Sequence, residues 1–182
     1  DSHVVQMVRH SCAVAKVIGT AYLLLDRYFL SVPALKELKA HNDADDTPRV
    51  DIITKAKSNC RAYRKPRACR SPKRGRPRLK GASVPVASLF TDKASCFTRA
   101  SVYMYGEKQE VTYYCTDLLW GQKLYQELRF VLVQYNGSRS ILVSTDLSLS
   151  PKRIIELYAY RFSIEELFRE FKQQIGGFAY HF

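Results

Sequence analysis

The sequence predicts an α/β fold carrying a β-rich insertion. Three observations predict it: apolar residues recur at helical spacing near both ends, two strand-like runs flank a helix in the first third, and two hairpin patterns follow. A chain of 182 residues has room for a sizeable core in one domain. Cys12, Cys60, Cys69, Cys96 and Cys115 are odd in number and include no C-x-x-C pair, which supports neither a disulfide framework nor a zinc site. Buried thiols in a reducing cytoplasm are the expectation. The chain has no signal peptide and no apolar run of about 18 residues, which argues against secretion and membrane spanning.

The elements follow in order. Ser2–Ile18 carries apolar residues at helical spacing and predicts a helix. TAYLLLDRYFLS is a continuous apolar run ending in Asp26, the pattern of a strand covered on both faces. Asp26 then lies at the strand's C-terminal end, where open α/β sheets place ligands; a strand-end Asp also caps turns. Ser31 and Pro33 open a helix over 33–40, and 49–54 reads as a second strand. Residues 98–105 and 110–116 alternate as strands about Gly106. A second hairpin, 129–135 with 138–145, is marked by Asn136-Gly137. The last element is a helix from about Pro151 to Ile175, whose start is signalled both by Ser150-Pro151 and by the capping box Ser163-x-x-Glu166, so a break near Phe162 is open.

The charge is local. The net +12 comes from 29 basic and 17 acidic residues; Lys55–Lys80 holds twelve Lys or Arg and no acid, and the remainder is neutral. Prolines 66, 72 and 77, Gly75 and the absence of apolar periodicity read as a loop or arm, mobile without its partner. A polyanion is that partner, bound largely by counterion release.

The final helix carries Tyr158, Arg161, Glu165 and Lys172, spaced Y-x2-R-x3-E-x6-K inside YAYRFSIEELFREFK. At about 100° per residue they occupy a band about 60° wide. Ile164, Leu167, Phe168, Phe171 and Ile175 predict a buried stripe beside that band, which would leave Glu165 at the core's edge, rigidly held and open to solvent. Arg161 and Lys172 are placed either to contact phosphate or to restrain the Glu. A charged helix face pairing its own residues is the plainer alternative.

These motifs together resemble the bacterial and archaeal insertion-sequence DDE transposases with the Y-R-E-K signature. The strand ending LLLDRYFLS, the basic TKAKSN, the arm KRGRPRLKG, the turn STDLSLSP and the signature helix stand in that family's order across nearly the whole chain. The resemblance implies an RNase H-like catalytic core, with the β-rich insertion between the second catalytic Asp and the Glu. It divides the chain into a partial core (1–54), a basic DNA-binding arm (55–82), the insertion with its hairpins (83–147) and the catalytic helix region (148–182). Asp26 is then the second catalytic carboxylate and Glu165 the third, both metal ligands for Mg²⁺ or Mn²⁺. Tyr158, Arg161 and Lys172 support them or bind phosphate.

Lys55, Lys57, Arg74, Gly75, Arg76, Pro77, Arg78 and Lys80 would bind DNA. The R-G-R-P run either enters a narrow minor groove or contacts phosphate generically. The family's first Asp has no counterpart here: Asp1 lies in no strand-like run, Asp51 follows Asp26 in the chain, and Asp146 fits N-capping or hydrogen bonding in the turn before the last helix. The expectation is a C-terminal part of a transposase, inactive alone. Its partners would be double-stranded transposon ends and target DNA, as a homodimer, in the cytoplasm at the nucleoid, with no membrane. Trp120 fits the core or stacks a base. A non-catalytic DNA-binding remnant is the competing function, and an RNA-packaging protein would explain the charge but not the acidic pair.

Overall fold

The computed structural model describes residues 2–67 and 77–175, the side chains of Glu165, Glu166 and residues 172–175 excepted. Helix α1 (His3–Ile18) opens on Ser2, whose side chain accepts from the Val5 amide at 3.4 Å, and closes at Gly19, where φ is 96°. Strand β1 (Ala21–Leu24) and strand β2 (Val50–Lys55) pair in parallel, Ala21 opposite Val50. Helix α2 (Val32–Asn42) links them, and its first turn is capped by Ser31. Arg9 of α1 and Glu37 of α2 pair at 2.9 Å and join the two helices.

Eight strands then make one mixed sheet. After β2 come β3 (Arg61–Tyr63), β4 (Ser83–Pro85), the single-turn α3 (Leu89–Asp92), β5 (Thr98–Met104), β6 (Glu107–Trp120), β7 (Gln126–Tyr135) and β8 (Ser138–Ser144). Their spatial order is β1-β2-β8-β7-β6-β3-β4, with β5 on β6. Among the described residues β1–β2 is the parallel pair and the other pairings are antiparallel. Asn136 (φ 46°) and Gly137 (φ 74°) turn β7 into β8, the left-handed pair that a two-residue hairpin requires.

Alternation along β7 sorts the core onto two faces. Leu128, Phe130 and Leu132 join Leu35, Phe90 and Val143 on one side; Val131 and Val133 join Ile53, Val102 and Ile154 on the other. A third cluster packs α1 and α2 on β1 and β2 through Val8, Ala15, Leu38 and Ile52. The result is three layers: α1 and α2, the sheet, then α4 (Pro151–Ile175).

Three expectations change. The apolar run around β1 is not a strand buried on both faces: β1 is an edge strand, and Tyr22 is 37% exposed. The basic segment is not loop throughout, because β3 lies within it and pairs with β4 just beyond it. By contrast, the last helix is the single one expected, unbroken over Pro151–Ile175, with the Arg153 amide donating to Ser150 Oγ at 3.3 Å, so Ser150 rather than Ser163 starts it. The stripe of Ile164, Leu167, Phe168 and Phe171 is exposed at 47–65%, and Ile175 lies outside the described side chains. The reason is length. Helix α4 buries Ile154, Ile155 and Ala159 on the sheet, and by Phe162 it has reached the ends of β1 and β2, leaving no sheet beneath its second half.

Candidate functional site

The C-terminal ends of β1 and β2 meet the middle of α4. Asp26 follows β1 by two residues and is fixed by its backbone: Leu25 N–H donates to Ile53 O at 2.9 Å, and Thr54 Oγ1 donates to Asp26 O at 2.8 Å. Its Oδ1 accepts from the Arg27 amide at 2.7 Å and so caps the short 3₁₀ turn Arg27–Phe29. Asp26 borders two clefts. One, of about 330 Å³, is walled by Arg27, Lys55, Tyr105, Tyr158, Ala159, Arg161 and Phe162. The other, of about 640 Å³, is walled by Arg27, Tyr28, Lys57, Ser58 and Asn59. One half-exposed carboxylate thus shares its two clefts with four cationic side chains and three phenols. Such a lining attracts an anion that bridges several cations, and a phosphodiester backbone has that form.

Two of these contacts come from far along the chain. Tyr105 begins the β5–β6 turn at φ 56°, a conformation unusual for an aromatic residue. The turn carries its ring to 5.1 Å from that of Phe162, edge to face, and into the wall of the smaller cleft. Burial, then the Tyr135 phenol, raises the Tyr105 hydroxyl above its ordinary pKa.

The structure therefore brings Asp26, Lys55, Lys57, Tyr158 and Arg161 together from three separated segments. The backbone of residue 165 follows Arg161 by one helical turn, about 6 Å along the axis. The side chains of Glu165 and Lys172 and the whole of Arg74, Gly75 and Arg76 lie outside the described residues. Pro77 and Arg78 are exposed, while the Lys80 ammonium sits over the Tyr63 and Tyr125 rings. Among the cleft residues that sequence reasoning did not nominate are Arg27, Tyr28 and Tyr105. Arg27 adjoins Asp26 within a motif already read; no local pattern marks Tyr105, because its role depends on the hairpin reaching α4.

Two other acids, beside the start of β1, are committed elsewhere. Asp51, 3% exposed, pairs with Arg49 at 2.6 Å and accepts from Thr145 Oγ1 at 2.7 Å. Asp146 accepts from the Tyr22 hydroxyl at 2.7 Å and from the Ser148 amide and hydroxyl at 2.8 and 2.7 Å. Burial pushes its pKa up, but the Ser148 and Tyr22 bonds outweigh that and hold it below the ordinary range. The same bond leads the causes that push Tyr22 up to about 12. Asp146 thus does the loop bonding expected of it, securing the turn that enters α4.

For a hard cation the donor set near Asp26 is of the right type, carboxylate oxygen. Among the described residues no group of three His, Cys, Asp or Glu side chains is placed to hold a metal, and no helix is long and apolar enough to cross a membrane. Trp120 packs against the core cluster of Phe130 and Leu118. Of the cysteines, Cys12, Cys60, Cys96 and Cys115 are free thiols, with Cys12 buried and Cys96 exposed.

Comparison with known families matches residues 1–181 to the model described as a transposase DDE domain. No curated protein and no solved structure matches the chain.

Proposed function

The chain belongs to the transposase DDE domain family, with a transposase's function, and from that premise we propose that it cleaves and joins phosphodiester bonds at the ends of a mobile DNA element through Asp26 and Glu165. One observation carries the assignment: Asp26 stands at the end of β1 in a cleft whose far wall is the signature helix, beside Tyr158 and Arg161. Asp26 and Glu165 would hold Mg²⁺ or Mn²⁺, hard cations suited to carboxylate oxygens. When bound, the metal supplies Lewis acidity for an in-line displacement at phosphorus. The chain's own groups do the rest. Lys55, Lys57, Arg27 and Arg161 neutralise the backbone phosphates that must approach a carboxylate, Lys172 extends that set along α4, and Tyr158 offers a hydrogen bond to a phosphate oxygen.

The basic segment links this cleft to the arm. Lys55 borders this cleft and Lys57 the second cleft at Asp26, and Arg61, Arg64 and Arg67 follow on exposed positions. Duplex DNA lying on the cleft would be gripped by the same run, with dimerisation pairing two element ends.

The test is nicking of supercoiled plasmid by the protein expressed from its full gene. Nicking is expected with Mn²⁺ and not with EDTA, and Asp26→Asn and Glu165→Gln should each abolish it while leaving DNA binding intact. Nicking that survives either substitution would remove that residue from the chemistry.

A further inference from the structure

The limbs of the basic arm leave the sheet as a paired ribbon. Strands β3 and β4 pair from Arg61 opposite Pro85 to Tyr63 opposite Ser83. The ladder continues past both strands: the Arg64 amide donates to Ala82 O at 2.9 Å and the Gly81 amide to Arg64 O at 2.7 Å. Gly81 is required at that point. A Cβ there would stand 2.7 Å from Lys65 O and 2.9 Å from Arg64 O, backbone atoms that cannot retreat without breaking the ladder.

Immediately before Gly81, Lys80 turns inward. Its ammonium lies 4.0 Å from the Tyr63 ring centroid and 5.1 Å from that of Tyr125, and the two rings meet edge to face at 5.6 Å. Tyr63 belongs to β3, whereas Tyr125 lies just ahead of β7, so the cation joins the second limb of the arm both to the first limb and to the body of the sheet. On the first limb, Lys65 pairs with Glu127 of β7 at 2.7 Å. Two of the segment's cations are therefore occupied at its root, while Arg61, Arg64, Arg67 and Arg78 are exposed.

We propose that Lys80, Tyr63, Tyr125 and Gly81 are the mount of a β-ribbon that presents the arm to duplex DNA, and that Lys80 is a positioning residue rather than a phosphate contact. The proposal rests on the reading that the arm binds DNA. A two-stranded ribbon fits the major groove of B-DNA, and a ribbon can hold its arginines in register there only if its root is fixed.

The slope of log affinity against log salt counts phosphate contacts and so separates the two roles of Lys80. Binding of this chain to a duplex oligonucleotide is measured across a salt series. Arg78→Ala should lower the slope by about one. Lys80→Met should weaken binding roughly 3- to 10-fold at fixed salt and leave the slope unchanged. Tyr63→Leu with Tyr125→Leu, which removes no charge, should reproduce that loss, and Lys80→Arg should restore wild-type affinity because guanidinium also stacks on aromatic rings. Thermal melting of each variant checks that the fold is retained. A slope lowered by about one in Lys80→Met, or affinity untouched by the tyrosine pair, overturns the mount. A wild-type chain that does not bind duplex DNA overturns the underlying reading of the arm, and the mount with it.

Discussion

The two ends of β1 treat carboxylates in opposite ways. At its start, Asp51 and Asp146 are buried and hydrogen-bonded to Arg49, Thr145, Tyr22 and Ser148. At its end, about 13 Å from Tyr22 along the strand, Asp26 borders open clefts among cations. Burying a carboxylate is costly unless donors satisfy it, so the first group is fixed in place and serves the fold. The second keeps capacity for a ligand. The same residue type, near the two ends of one strand, is either completed by its neighbours or left open to a ligand.

The largest break in that comparison is chemical. Asp26→Asn keeps the amide-capping oxygen and should change stability by less than about 0.5 kcal/mol. It should lower metal-dependent nicking by more than about 100-fold, because loss of even an outer-sphere partner of a metal costs up to that much. Asp51→Ala reverses the pattern. It strips the buried Thr145 hydroxyl of its acceptor and should cost about 1–3 kcal/mol in urea denaturation, while an effect on nicking confined to its loss of stability would keep Asp51 out of the chemistry.

A smaller effect is expected at the β5–β6 turn. Tyr105→Asn places a residue suited to positive φ and should leave stability within about 0.5 kcal/mol of wild type or raise it. Nicking should nevertheless fall, since the ring walls the Asp26 cleft; unchanged nicking would make Tyr105 a turn residue only.

The smallest is a pH effect at the structural end. Tyr22 titrates higher folded than unfolded, so its contribution is whole below its ordinary value near 10 and is lost as pH rises toward about 12. Asp146 titrates lower folded, so its contribution is whole above the ordinary carboxylate range and is lost as pH falls through its folded value. Tyr22→Phe should flatten the alkaline limb of the stability profile relative to wild type. A limb equally steep in both would show that another group controls it.

Much of the architecture was legible because its signals are local. Ser2, Ser31 and Ser150 cap the helices they precede, and Asn136-Gly137 makes the hairpin its type demands. The motif residues Asp26, Lys55, Lys57, Tyr158 and Arg161 line two clefts that meet at Asp26, although 135 positions separate the first from the last. The strands β3 and β4 were not legible: each has three residues, and β3 lies inside a segment rich in Lys, Arg and Pro. The exposed stripe on α4 was misread because periodicity reports that a helix has an apolar face, not whether anything lies beneath it. Tyr105 and the Lys80 mount depend on which strands become neighbours, and no short-range pattern encodes that.

The most direct test of the central claim is the separation of the Asp26 and Glu165 carboxylates in a crystal of the chain grown with Mn²⁺ and duplex DNA. The expected result is that both ligate one ion, or two ions about 3.5–4 Å apart, at the end of β1. Carboxylates on opposite sides of α4 with no shared ion would contradict it, leaving Asp26 as the cap of its turn and the cleft as a phosphate-binding surface without catalytic chemistry.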